Sequence, residues 1–189
     1  DAMSRHVRTA VPKPEIDKAE LRFLEDALAS MPTGPALDST GFSEDLQRYN
    51  YHQNPYLRAF TRVLLAGYAM ARGQVAECHT RFKAAHRDAE LAGADAVTVD
   101  ALKEAAVALE RSMAPGGSMS TFLEELRNDT LQRLWARVCE TSHLAPPSFS
   151  RIFSQRGNAK SAEELDAEDD AAIAAMMLVP VSSATANDD

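Results

Sequence analysis

Gly73 sits between two runs of helical periodicity, and the stretch Arg58 to Leu102 around it constrains the fold more than any other part of the chain. Before the glycine, Phe60, Leu64, Leu65 and Tyr68 recur at helical spacing. After it, Val75, Cys78, Phe82, Ala85, Ala89 and Leu91 do so, with charged residues between them. Glycine suits the end of a helix because the left-handed backbone that closes one costs it little. Two helices joined by so short a break lie antiparallel. Each carries an apolar stripe that the other alone cannot cover, so further hairpins are expected alongside.

The flanking sequence reads the same way. Residues 1–14 end in Val11-Pro12-Lys13-Pro14, an extended arm without periodicity. A helix is expected to open at Pro14-Glu15, with Ile16, Ala19, Phe23, Leu24, Ala27 and Leu28 as its apolar face, and to stop at Met31-Pro32. A short segment spans Phe42 to Tyr51. After the central hairpin, Asp95 or Thr98 caps a helix running to Met113, and Ala114-Pro115-Gly116-Gly117 breaks the chain. Ser118 or Ser120 then caps a long amphipathic helix holding Phe122, Leu126, Leu134, Trp135 and Val138, which Pro146-Pro147 ends. From Lys160 a last helix, first acidic and then rich in Ala and Met, reaches Leu178. Ala is abundant, β-branched residues are few and no strand-type alternation stands out, so the class is all-α. The expected organisation is an arm at 1–14, a helical-repeat domain at 15–160, and an acidic helix and tail at 161–189.

Of the 28 acidic residues, eight lie after Lys160, where there is no Lys or Arg; removing them leaves 20 acids against 20 bases, so residues 1–160 are formally neutral. A nucleic-acid binder normally carries a basic excess on one face, because phosphate contacts dominate its affinity. Here that face would have to come from Arg58, Arg62, Arg72, Arg81 and Arg87. No run of apolar residues is long enough for a transmembrane helix. Cys78 and Cys139 fall on or near apolar stripes and read as buried, reduced thiols. The basic, hydroxylated opening Ser4-Arg5-His6-Val7-Arg8-Thr9 fits the remnant of an organelle-targeting region.

The order Leu64-Leu65-Ala66-Gly67-Tyr68, Gly73-Gln74-Val75-Ala76-Glu77, Phe82, Gly93-Ala94-Asp95 and Val97-Thr98-Val99-Asp100-Ala101-Leu102 resembles a pentatricopeptide repeat followed by the start of another. Arg58 to Asp95 spans 38 residues, about three more than the usual unit. A poorer echo runs from Pro147 to Leu165. The resemblance implies a short α-solenoid of about seven helices in degenerate hairpins. It also implies base-reading positions at Arg62 with Asp95, and at Asp100. Arg62 departs from the small polar residue usual there, and Asp100 would set a negative charge against phosphate, so RNA recognition is disfavoured. A short, acidic, degenerate protein of this kind resembles the extra subunit on the catalytic head of euglenozoan mitochondrial ATP synthase. That resemblance implies a non-catalytic, matrix-side subunit bound to the ATP synthase α-subunit. Contacts would then come from Val11, Pro12 and Pro14 and from Met176, Met177, Leu178 and Val179. Two alternatives are an organellar RNA-associated repeat protein and a tetratricopeptide-like adaptor or chaperone.

For chemistry the sequence offers little. His79 and His86 share a helix face, while His6, His52 and His143 stand apart, and nothing at metal-ligand spacing completes a tetrahedral site. No phosphate-cradling loop, nucleophile elbow or HExxH motif is present, so no catalytic residue, cofactor or metal is expected. Tyr49, Tyr51, Tyr56 and Phe60 cluster around Asn54-Pro55. They either stack on bases or pack a capping turn against the first repeat, and packing is favoured because each buried ring contributes about 1.5–3 kcal/mol.

Overall fold

The structure, a computed structural model, describes residues 16–154. The chain divides into two compact units, 1–153 and 154–189. Val11, Pro12, Pro14 and Met176 to Val179 lie outside the described residues.

The elements are α1 (Lys18–Ala29), α2 (Ser43–Leu46), a 3-10 turn (Gln47–Tyr51), α3 (Pro55–Ala71), α4 (Val75–Leu91), α5 (Ala96–Met113), α6 (Met119–Glu125), a π turn (Leu126–Thr130), α7 (Leu131–Thr141) and α8 (Phe149–Ser154). No strand occurs among the described residues. The backbone stays right-handed helical through Glu125, Leu126, Thr130 and Leu131. Helices α6 and α7 are therefore one rod with a wide turn in its middle.

Capping chemistry sets the boundaries. The sequence placed the start of α1 at Pro14-Glu15, but the helix opens at Lys18 because Asp17 and Glu20 form a capping box: Asp17 accepts from the Glu20 N–H at 2.7 Å, and Glu20 accepts from the Asp17 N–H at 3.2 Å. Asp95 caps α5 through the Thr98 N–H at 2.9 Å, and Ser118 caps the rod through the Thr121 N–H at 3.2 Å. Gly73, at φ +81°, ends α3 as expected, with the Gln74 N–H returning to the Ala69 carbonyl at 2.9 Å.

Helix α3 lies at the centre. Thirteen of its 17 residues are buried, a degree of enclosure that one partner helix cannot give. It packs on α4 and on the rod, α4 packs on α5, and α5 packs on the rod. With short links at each step, these four rods run alternately up and down and close into a ring. Inside it Phe60 meets Trp135 with centroids 4.9 Å apart, and Phe82 meets Phe122 at 6.1 Å. Residues 16–51 form a second layer over α3. The Tyr68 hydroxyl donates to the Ala27 carbonyl at 2.6 Å, and the Ala36 N–H donates to the Ala71 carbonyl at 2.9 Å. Met31, fully buried, fills the groove between α3 and the rod; a Cβ at Gly67 would stand 2.6 Å from its Sδ and 3.2 Å from Leu126 Cδ2. Close approach here requires glycine.

One seam holds the ring shut. Asn54 caps α3 by accepting from the Tyr56 N–H at 2.9 Å, and its amide donates to Thr141 Oγ1 at 2.7 Å and to Ser142 Oγ at 3.1 Å at the far end of α7.

Candidate functional site

Most of the residues singled out for RNA are occupied within the fold. Arg62 pairs with Asp88 at 2.9 Å and donates to the Asn50 carbonyl at 3.2 Å. Arg58 pairs with the same carboxylate at 2.9 Å and donates to the His52 carbonyl at 2.7 Å. Arg62 and Arg58 are one helical turn apart, so both reach Asp88 on the antiparallel partner. Arg72 binds the Ser39 carbonyl at 3.1 Å, and Arg81 pairs with Glu77 at 2.8 Å. Arg87 is the exposed member of the five. Asp95 is 2.7 Å from Arg137, whose guanidinium covers the Tyr56 ring at 4.6 Å and also pairs with Glu140 at 2.6 Å. The hydrogen bond from Thr98, then Arg137, hold the Asp95 carboxyl below its ordinary pKa. Asp95 and Arg137 thus tie the start of α5 to the end of the rod. Asp100 lies on the exposed side of α5, and the structure does not bring it together with Arg62.

The aromatic cluster divides in the same way. Tyr49 and Phe60 are buried, Tyr56 is half-buried under Arg137, and Tyr51 is 90 % exposed. Tyr51 borders a cavity of about 310 Å³ with Arg62 and Arg81; Glu77 pairs with Arg81, while Arg62 shares the one Asp88 carboxylate with Arg58. Cys78 and Cys139 are buried and free, and burial pushes their thiols up to about 12 and about 11. Among the described residues no group of three or more His, Cys, Asp or Glu stands close enough to hold a metal ion, and no helix is long and apolar enough to cross a membrane.

The feature that sequence reasoning missed is a groove between α5 and the rod. Its floor is Ala105, Ala108, Phe122 and Leu126, its volume is about 390 Å³, and it continues past Arg111 into a second space of about 300 Å³ beside Pro115 to Ser118. Ala105 and Ala108 line it on the α5 side, and the π turn carries Asp129 and Thr130 into the opposite wall. Val107, 52 % exposed, stands at the rim. One end is closed where Arg133 pairs with Glu104 at 2.9 Å and with Asp129 at 2.7 Å. Lys103 and Arg111 on α5 and Glu125 on the rod have no ion-pair partner among the described residues. Helical periodicity marked Phe122 and Leu126 as core, and both are buried in the structure, but nothing in it could show that a groove would form above them.

Compared with protein-family models, with curated proteins and with solved structures, the chain matches none of them.

Proposed function

We propose that this chain is a non-catalytic interaction subunit that holds a protein partner on its helical surface. The observation that carries the reading is the groove of about 390 Å³ between α5 and the rod, with Val107 exposed at its rim, set in a body most of whose conspicuous polar residues are spent on internal pairing. A surface of this kind binds by helix packing and asks for no reactive group. The resemblance noted in the sequence supplies one concrete partner, the α-subunit of the mitochondrial ATP synthase head, with a matrix-side location. The finer fold expectation, a short solenoid of pentatricopeptide-type hairpins, has the α3–α4 hairpin in its favour. The return of the rod onto α3 favours a closed four-helix ring with an added layer instead.

RNA recognition is the second reading. The exposed Tyr51 ring beside Arg81 is what speaks for it, and the internal pairing of Arg58, Arg62 and Arg81 speaks against it.

Gentle affinity purification of the full chain, with and without RNase, separates the two. Partners that remain stoichiometric after RNase support the interaction subunit, and ATP synthase α- and β-subunits among them would support the finer assignment. Ribosomal or RNA-processing proteins lost on RNase treatment would overturn it in favour of RNA.

A further inference from the structure

We propose that His52 is a pH-sensitive latch on the seam between the start of α3 and the end of α7, closed while its imidazole is neutral and released when it takes up a proton. The latch belongs to the fold itself and is independent of what the chain binds.

The seam hangs on one short segment. His52 follows the 3-10 turn, and its Nδ1 accepts the Asn54 N–H at 3.0 Å. That bond fixes the ring flip and the tautomer, because only an unprotonated nitrogen accepts, and the proton of the neutral ring then sits on Nε2. Held in this way, Asn54 caps α3 through the Tyr56 N–H at 2.9 Å and donates from Nδ2 to Thr141 Oγ1 at 2.7 Å and Ser142 Oγ at 3.1 Å. Thr141 Oγ1 in turn donates to the Arg137 carbonyl at 2.7 Å. Hydrogen bonds thus run from the imidazole through Asn54 into the last turns of α7.

A proton on Nδ1 turns this acceptor into a donor facing a donor. The Asn54 N–H loses its partner, and the half-buried ring turns toward water. The surroundings set how readily this happens. Burial, the largest influence, opposes the charged form; Glu20 on α1 favours it, and Arg58 on α3, which donates to the His52 carbonyl at 2.7 Å, opposes it. The Tyr49 ring lies 6.4 Å away and is itself covered by Arg48 at 4.9 Å. Behind Arg58 stands Asp88 on α4, which Arg62 shares, and at the end of α7 Arg137 and Glu140 pair with each other. The latch therefore releases on the acid side of pH 6.5.

A neighbouring clasp stays shut in that range. Arg137 holds Asp95 at 2.7 Å and donates to the Tyr56 hydroxyl at 3.2 Å. The Asp95 carboxyl, kept below its ordinary pKa, remains ionised while His52 titrates. Protonation of His52 frees Asn54 from the rod and leaves the start of α5 tied to it, so the opening is local.

The test is an NMR titration of the isotope-labelled full chain from about pH 8 to about pH 5. The expected result is the Nε2–H tautomer of His52 at the upper end, and Asn54 side-chain amide signals that shift with the same midpoint as the His52 ring. Below that midpoint the Asn54 amide protons, corrected for the intrinsic effect of pH, should exchange roughly tenfold faster, the size of one hydrogen bond. Signals of Asp95 and the Arg137 guanidinium should hold still. His52→Asn keeps an acceptor for the same N–H but does not titrate, so its seam should stay closed throughout. His143→Asn removes the exposed histidine just past Ser142, at a left-handed position that asparagine tolerates, and should leave the step in place. Asn54 signals that do not follow His52, a step that persists in His52→Asn, or a step that His143→Asn abolishes would each overturn the latch.

Discussion

Gly67→Ala puts the packing of Met31 to a direct test, because two effects of opposite sign compete there. Alanine in a helix interior is favoured over glycine by about 1 kcal/mol. Against this, the new methyl would lie 2.6 Å from Met31 Sδ and 3.2 Å from Leu126 Cδ2, whereas such atoms pack comfortably at about 3.5–4.0 Å. A flexible thioether at the surface would swing aside. Met31 is completely buried and its terminal methyl is 3.4 Å from the same point, so the side chain has to leave its rotamer or the loop has to move. Overpacking of this size costs about 1–3 kcal/mol, and the balance is a loss of up to about 2 kcal/mol, or a few degrees in Tm. Met31→Ala alone leaves a cavity and loses about 2–4 kcal/mol. In the double variant the new methyl no longer meets the Met31 thioether, so the pair should be less damaging than the sum by at least about 1 kcal/mol. Urea unfolding followed by fluorescence reads all three, since the single tryptophan, Trp135, is fully buried. A Gly67→Ala variant more stable than the parent, or strictly additive effects, would refute the account of Met31 as a close-fitting filler.

Three further outcomes follow from the same structure. Asn54→Ala loses both the α3 cap and the seam, about 2–3 kcal/mol in all, whereas Asn54→Ser keeps the cap and loses about half of that; equal denaturant midpoints for the two variants would show that the cap contributes nothing. His52 accepts the Asn54 N–H through Nδ1 at 3.0 Å, and burial, with Arg58 nearby, holds its pKa below the ordinary 6.5. The unfolded chain therefore protonates first, so stability is full above pH 6.5 and declines as pH falls below it; His52→Gln should flatten that slope, and an unchanged slope would show that another group controls it. Cys78 and Cys139 should resist a thiol reagent at pH near 8 in the native protein and both react at once in denaturant, because neither thiol is exposed or ionised in the fold; immediate modification of either in native buffer would contradict their burial.

The sequence made some parts of this molecule plain and hid others for definable reasons. The α3–α4 hairpin was readable because Gly73 breaks two clean stripes and a left-handed residue is needed there. The all-helical class followed from composition. The capping box at Asp17 and Glu20 was written in the residues and overlooked in favour of Pro14. His143 ends α7 at φ 57°, a position that sequence preference assigns to glycine or asparagine. Periodicity reports which side of a helix is buried, not against what, so neither the return of the rod onto α3 nor the groove beside α5 could be read from it. The pairing of Arg62 was not legible because its partner, Asp88, comes from the facing helix and shares no local pattern with it. The π turn has no sequence signature among the residues Leu126 to Thr130.

The seam at Asn54 also bears on how the chain reaches this arrangement. Each hairpin within the ring joins neighbours across a few residues, while Asn54 meets Thr141 and Ser142 at separations of 87 and 88 residues. Closing so long a loop demands chain entropy that local pairing does not. On that ground the hairpins are expected to assemble before the seam, with the seam forming after the rate-limiting barrier. Substitutions at Asn54 or Thr141 should then accelerate unfolding and leave the folding rate nearly untouched, making the seam a determinant of how long a folded molecule lasts rather than of how quickly it arises.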